Sequence, residues 1–220
     1  MLVETEETDG VLVAAIDDGK VNALTAELVG GVRSALVQAT GSGQPLVITG
    51  RDGCFSAGFD LAVMNSSDQH LAAALFTEGA FLYREIIEAP VPVVASCTGH
   101  ALAGGALLLL CADYRIGRAG PYRLGLNEVG IGMALPSLAV SIATHRLDHR
   151  FLTAAAMFAE VVPPDRAMVV GFLDEVVEDP YPRALSYAAS LAALPKEPFA
   201  VTKRRVRRGL TRDLAVLDGE

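Results

Sequence analysis

A single large α/β domain is predicted by three observations. The apolar content is high enough for a substantial core, short apolar runs alternate with segments of helical spacing, and glycines fall just past the ends of those runs. Of 220 residues, 51% are hydrophobic and 20% are charged, a balance that offsets ordering entropy by burial and excludes disordered and fibrous classes. The net charge of −8, from 26 acidic and 18 basic residues, argues against a nucleic-acid partner held by general attraction to phosphate. Met1-Leu2-Val3-Glu4 turns acidic at once, without the basic start and apolar run of a signal peptide, so a cytoplasmic location is expected. Cys54, Cys97 and Cys111 lack CxxC spacing and read as buried reduced thiols. The longest apolar block, Ala101 to Ala112, falls well short of the ~20 residues a membrane span needs, and no membrane partner is expected.

Taken in order, Val11 to Ile16 and Leu46 to Thr49 are continuous apolar runs, the pattern of strands buried on both faces. Between them Leu24, Leu28, Val32, Ala35, Leu36 and Ala39 recur at helical spacing, so the chain is expected to open strand, helix, strand, in a right-handed crossover. Arg51-Asp52-Gly53 marks a turn. A second helix is expected from Asp68 to Glu88, stopping before Pro90 and Pro92, followed by a strand over Val91 to Ser96. Gly99, Gly104 and Gly105 precede a helix over Ala106 to Ala112, and Tyr114-Arg115-Ile116 returns as a strand. From Pro136 the texture becomes Ala-rich and helical, broken by prolines, with one strand candidate at Asp174 to Val177. Residues 1–145 are therefore expected to form the core. Residues 146–220 are expected to form a helical C-terminal region of the same domain, serving oligomerisation and substrate cover.

Glycines past strand ends leave backbone N–H groups free to face a ligand, and a helix start adds partial positive charge, so such loops suit a phosphate or a developing oxyanion. Gly41-Ser42-Gly43 and Gly130-Ile131-Gly132 both lack the third glycine of a dinucleotide fingerprint. His145 and His149 lie four apart, but Arg146 and Asp148 between them suggest a solvated turn, and no metal site is expected. Ser56 sits in no GxSxG elbow and is not read as a nucleophile.

Two segments carry more information. Cys54-Phe55-Ser56-Ala57-Gly58-Phe59-Asp60-Leu61 resembles the first oxyanion-hole segment of the crotonase (enoyl-CoA hydratase/isomerase) superfamily. Gly99-His100-Ala101-Leu102-Ala103-Gly104-Gly105, followed by Cys111-Ala112-Asp113-Tyr114-Arg115-Ile116, is similar to the second. The resemblance runs from Gly19-Lys20-Val21-Asn22-Ala23-Leu24 to Gly171-Phe172-Leu173-Asp174-Glu175-Val176-Val177. It implies a crotonase-like spiral of repeated ββα units, the broad fold shared with Clp-type proteases, with a short C-terminal helical region. It also implies an acyl-CoA substrate, no cofactor beyond the coenzyme A of that substrate, and a homotrimer or dimer of trimers. By motif position the thioester oxygen would accept hydrogen bonds from the amides of Ala57 and Gly104. Lys20, Asn22, Ala23 and Leu24 would support the adenosine end of coenzyme A, and Ser56, Gly58, Phe59, Asp60, Leu61 and Gly105 would line the substrate.

Such donors stabilise the enolate formed when a proton leaves the carbon beside the carbonyl, each worth about 2.7–4 kcal/mol of barrier. A proton carrier completes the site. Hydratases of the family usually carry two glutamates; here Leu107 stands at the first place and Asn127-Glu128 at the second. A single carboxylate can move a proton along an allyl system, so the resemblance favours Δ3,Δ2-enoyl-CoA isomerisation through Glu128, with hydration or acyl-CoA binding without catalysis as alternatives. His100 is read as a loop hydrogen-bonder and Asp60 as fixing the first loop. Lys203, Arg204, Arg205, Arg207, Arg208 and Arg212 form a basic run, read as a solvated helix face or as attraction for coenzyme A phosphates.

Overall fold

The computed structural model describes residues 2–217. The chain begins one strand earlier than expected. Strand β1 (Val3–Thr8) pairs antiparallel with β2 (Val11–Ile16) across a two-residue turn in which Asp9 and Gly10 both have positive φ. An Asp-Gly pair adopts that primed-type turn readily, because its twist matches that of the flanking strands. β1 carries little apolar signal because it is the edge of its sheet, with Glu4, Thr5, Glu6 and Glu7 exposed.

Four ββα turns follow, each sending one strand to a long sheet and a second to a smaller one. The first turn is β2, β3 (Ala23–Leu24) and α1 (Ala26–Ser42). The second is β4 (Leu46–Thr49), β5 (Gly53–Ser56) and β6 (Gly58–Phe59), followed by α2 (Leu61–Met64) and α3 (Gln69–Glu88). The third is β7 (Val93–Cys97), β8 (Gly99–Leu102) and α4 (Gly104–Cys111). The fourth is β9 (Tyr114–Arg118), β10 (Leu124–Gly125) and, after a 3-10 turn at Val129–Ile131, α5 (Ser137–Arg146). A π-helical turn (Thr153–Met157), α6 (Pro164–Val170), β11 (Glu175–Val177), α7 (Pro180–Leu191) and α8 (Lys196–Leu217) complete the chain. The long sheet runs β1-β2-β4-β7-β9-β11, parallel except for β1, while β10-β8-β5 and β3-β6 form small parallel sheets. This is the spiral of repeated ββα units that the resemblance implies.

The helices begin and end where their chemistry dictates. Thr25 caps α1 by accepting from the Leu28 amide, and Gly43 closes it in the left-handed region. Asp68 caps α3 through the His70 and Leu71 amides. All eight residues of α4 are buried, so it has no polar face and lies inside the core. Its surroundings are the main apolar cluster, where Leu12, Ile16, Leu28, Leu46, Ile48, Leu82, Ile86 and Leu109 meet. The opposite face of the long sheet, with Val11, Val13, Val47, Val94 and Ile116, is covered by Ala184 and Ala188 of α7. Burial on both faces explains the unbroken apolar runs of β2, β4 and β7.

The basic run on α8 divides, which corrects its reading as a wholly solvated face. Lys203 and Arg207 are buried and hold Asp113, at 2.6 and 3.2 Å, and the same carboxylate accepts from the Val93 amide at 2.9 Å. Arg204, Arg205, Arg208 and Arg212 remain exposed. Arg115 holds Asp174 in a two-pronged pair and donates to the Gly171 carbonyl. Cys54, Cys97 and Cys111 are free and buried. Among the described residues no helix is long and apolar enough to cross a membrane.

Candidate active site

A cavity of about 250 Å³ opens where the β5–β6 segment meets the start of α4. Its walls are Ala57, Phe59, Leu61, Met64, Leu102, Ala103, Gly104, Asn127, Glu128, Ile131 and Met133. The two segments touch closely enough to demand glycine. A Cβ on Gly58, already at φ +94, would lie 2.9 Å from the Gly104 nitrogen, and one on Gly105 would lie 2.2 Å from the Ser56 carbonyl oxygen. Ala103 holds a strained backbone (φ 48, ψ −126) as the residue before α4, the kind of conformation that persists only where its surroundings enforce it. The first bond of the helix runs from the Leu107 amide to the Ala103 carbonyl at 3.0 Å. The Gly104 and Gly105 amides therefore precede the intrahelical ladder, as helix-start donors do. Tyr83 of α3, fully buried, donates its hydroxyl to the Gly104 carbonyl at 2.7 Å. Burial raises that hydroxyl's pKa well above its ordinary value and keeps it a donor.

The expected first donor is corrected. The Ala57 amide is directed away from the cavity, to the Val21 carbonyl at 2.9 Å. The Gly58 amide donates to Ser56 Oγ at 3.2 Å, and the Asp60 amide to the Leu24 carbonyl at 3.4 Å. Successive N–H groups of a strand point to opposite sides, so with the Asp60 amide aimed at β3, the Phe59 amide is directed to the other side. Gly104 lines the cavity.

The remaining expected residues separate into those at the cavity and those that build it. Phe59 and Leu61 line it. Asp60 caps α2 by accepting from the Ala62 amide at 2.8 Å, the loop-fixing role expected of it. Ser56 is wholly buried, donating to the Asn22 carbonyl at 2.7 Å. Asn22 has no exposed surface. Its Nδ2 donates to the carbonyls of Ile16, Cys54 and Phe55, and its Oδ1 accepts from the Asp18 amide, so its side chain stitches the first turn to the second and has no group left for a ligand. Leu24 is in the core, Ala23 is half-buried, and Lys20 is exposed with its amide on Asp18 Oδ1. His100 accepts from the Arg123 amide through Nδ1, as a loop hydrogen-bonder should. His145 pairs with Asp213 at 2.8 Å, on α5 rather than in a solvated turn.

Glu128 lies on the cavity wall, 7% exposed, and its Oε2 has no hydrogen-bond partner. Burial pushes its carboxyl above the ordinary glutamate value, only partly opposed by a hydrogen bond from its own backbone amide. Beside it the Oδ1 of Asn127 is also buried and unpartnered. Leu107, where a second acid would sit, is 3% exposed in the main core. Neither Tyr83 nor Asn127 was expected at the site. Asn127 adjoins the motif glutamate, and that adjacency was the available signal; nothing in the sequence around Tyr83 marks it.

Against known proteins, residues 6–217 match the family model described as enoyl-CoA hydratase/isomerase. The chain belongs to the enoyl-CoA hydratase/isomerase family. Among solved structures, an enoyl-CoA hydratase/isomerase family protein from Pseudomonas syringae is 39% identical, with a TM-score of 0.94, covering 98% of this chain and 94% of that one. Human mitochondrial delta3-delta2-enoyl-CoA isomerase is 28% identical, with a TM-score of 0.93, covering 98% of this chain and 87% of that one. A probable enoyl-CoA hydratase from Rhodobacter capsulatus is 30% identical over 96% of this chain and 83% of its own length. Both chemistries of the family thus occur among proteins similar to this member.

Proposed function

We propose that this family member is a Δ3,Δ2-enoyl-CoA isomerase with Glu128 as its one proton carrier. The observation that carries the reading is a single buried carboxylate, its Oε2 unpartnered, on the wall of an otherwise mostly apolar cavity that also holds the Gly104 amide. By motif position Leu107, buried in the core, takes the place of the second acid that hydratases of the family usually carry. The thioester oxygen accepts from the Gly104 and Phe59 amides, the latter in place of Ala57. Glu128 removes a proton from C2 of a 3-enoyl thioester, the electron pair moves into the C2–C1 bond, and charge collects on the oxygen held by the two amides. The same carboxyl then returns the proton to C4, leaving the double bond between C2 and C3.

A second reading rests on Asn127. Two neighbouring buried acceptors, Asn127 Oδ1 and Glu128 Oε2, suit a water that donates to both, and such a water would add to a 2-enoyl thioester. The test is to offer 3-hexenoyl-CoA and 2-hexenoyl-CoA and follow the conjugated thioester by absorbance. Isomerisation raises the signal from the first substrate and hydration lowers it from the second. Glu128→Gln is expected to cut turnover at least ~100-fold while binding is retained, since general acid–base groups typically contribute 10²–10⁴-fold; unchanged turnover would remove Glu128 from the mechanism.

The acting form is proposed to be a homotrimer. Val129, Ile131, Met157 and Phe158 are exposed apolar residues; Ile131 lines the cavity, and Gly130 lies against Ala159, which brings the two turns that carry them side by side. Apolar surface of that kind marks a site for another chain.

A further inference from the structure

We infer that Phe59 sets an upper limit on acyl-chain length, making this a short- to medium-chain enzyme. The inference rests on the acyl thioester occupying the cavity described above. The cavity measures about 250 Å³, below the roughly 300–1,000 Å³ of common ligand pockets, so it suits a short tail better than a long one. The walls a tail would meet, Leu61, Met64, Leu102 and Met133, are hydrocarbon or thioether, which suits an unsubstituted alkyl chain and offers nothing to a charged or hydroxylated one.

Phe59 lines the cavity, whereas Phe76, Gly79 and Tyr83, which its ring meets, do not. That ring fills the gap between α3 and α4 so fully that a Cβ on Gly79 would lie 2.3 Å from its Cζ, and one on Gly104 3.0 Å from its Cδ2. Phe76 and Tyr83 hold it from the side, with ring centroids at 6.0 and 6.2 Å. The glycine at 79 therefore makes space for a ring that belongs to the cavity wall. Removing the ring opens space toward α3 into which a longer tail can extend.

The experiment measures kcat/KM across 3-enoyl-CoAs of six to twelve carbons for wild type, Phe59→Ala and Phe59→Leu, with binding of saturated hexanoyl-, octanoyl- and dodecanoyl-CoA by calorimetry in parallel. Because the ratio between substrates is read, any common loss from disturbing the loop cancels, and the leucine variant serves if the alanine variant folds poorly. Wild type is expected to favour six carbons over twelve by at least ~10-fold, and both variants to shrink that ratio, alanine more than leucine. A flat wild-type profile, or a ratio unmoved in both variants, overturns the inference. If no 3-enoyl-CoA is isomerised while the saturated thioesters still bind with a cut-off that the variants relax, the isomerase reading fails and the length limit stands.

Discussion

As the proposed proton carrier Glu128 must be ionised to act, yet the protein around it favours the neutral acid. Burial raises its pKa, so the native state binds its proton more tightly than the unfolded chain does. Stability from this group is fully present below the ordinary glutamate value and is lost as pH rises through the raised native value; activity runs the other way. The acid limb of kcat/KM is therefore expected above the usual glutamate range. Glu128→Gln, which has no charge to desolvate, is expected to melt no lower than wild type at pH 7, with the difference closing as pH falls toward 4.5. A melting temperature that drops in Glu128→Gln at neutral pH would mean the carboxylate is held by partners not evident at the site. The place of Glu128 on the cavity wall was legible because it lies in an ordered motif. The direction of the Ala57 amide was not, since it depends on ladder alternation and on the positive φ of Gly58, which residue letters do not encode.

At the scale of elements, α8 is fastened by its interior charges, while its arginine-rich surface is free to vary. Asp113 is the anion shared by Lys203 and Arg207, and Lys203 also donates to the Ile86 and Val91 carbonyls, so one carboxylate ties α8 to the ends of α3 and β9. Asp113→Ala leaves two buried cations uncompensated, a loss expected to cost about 3–5 kcal/mol in urea unfolding. Arg204→Ala and Arg205→Ala, exposed on the same helix, are expected to change stability by no more than about 0.5 kcal/mol. Equal losses at buried and exposed positions would refute the division. In sequence the six basic residues look alike, because the partner of Lys203 lies 90 positions away. The interior strands and α3 were legible from apolar runs and from Asp68 and Pro90. The edge strand β1 was not, because three glutamates mask it and only Asp9-Gly10 announces the hairpin.

For the whole molecule, the cavity and its mouth make different demands. The walls are built within one chain, but Ile131 belongs both to the cavity and to an apolar surface that continues through Val129 to Met157 and Phe158, the last of these 72% exposed. Leaving that surface in water forgoes about 25 cal/mol for each Å² of apolar area that burial would remove, and it flanks the place where substrate enters. Docking another copy there would remove the surface from water and narrow the mouth around the thioester, coupling assembly to activity. The wild-type protein is accordingly expected to sediment as a trimer at micromolar concentration. Phe158→Glu places a charge that resists desolvation at the contact and is expected to shift the population toward monomer, with a fall in kcat/KM that is reversed by raising protein concentration. A wild type that sediments as a monomer with full activity would separate the patch from catalysis.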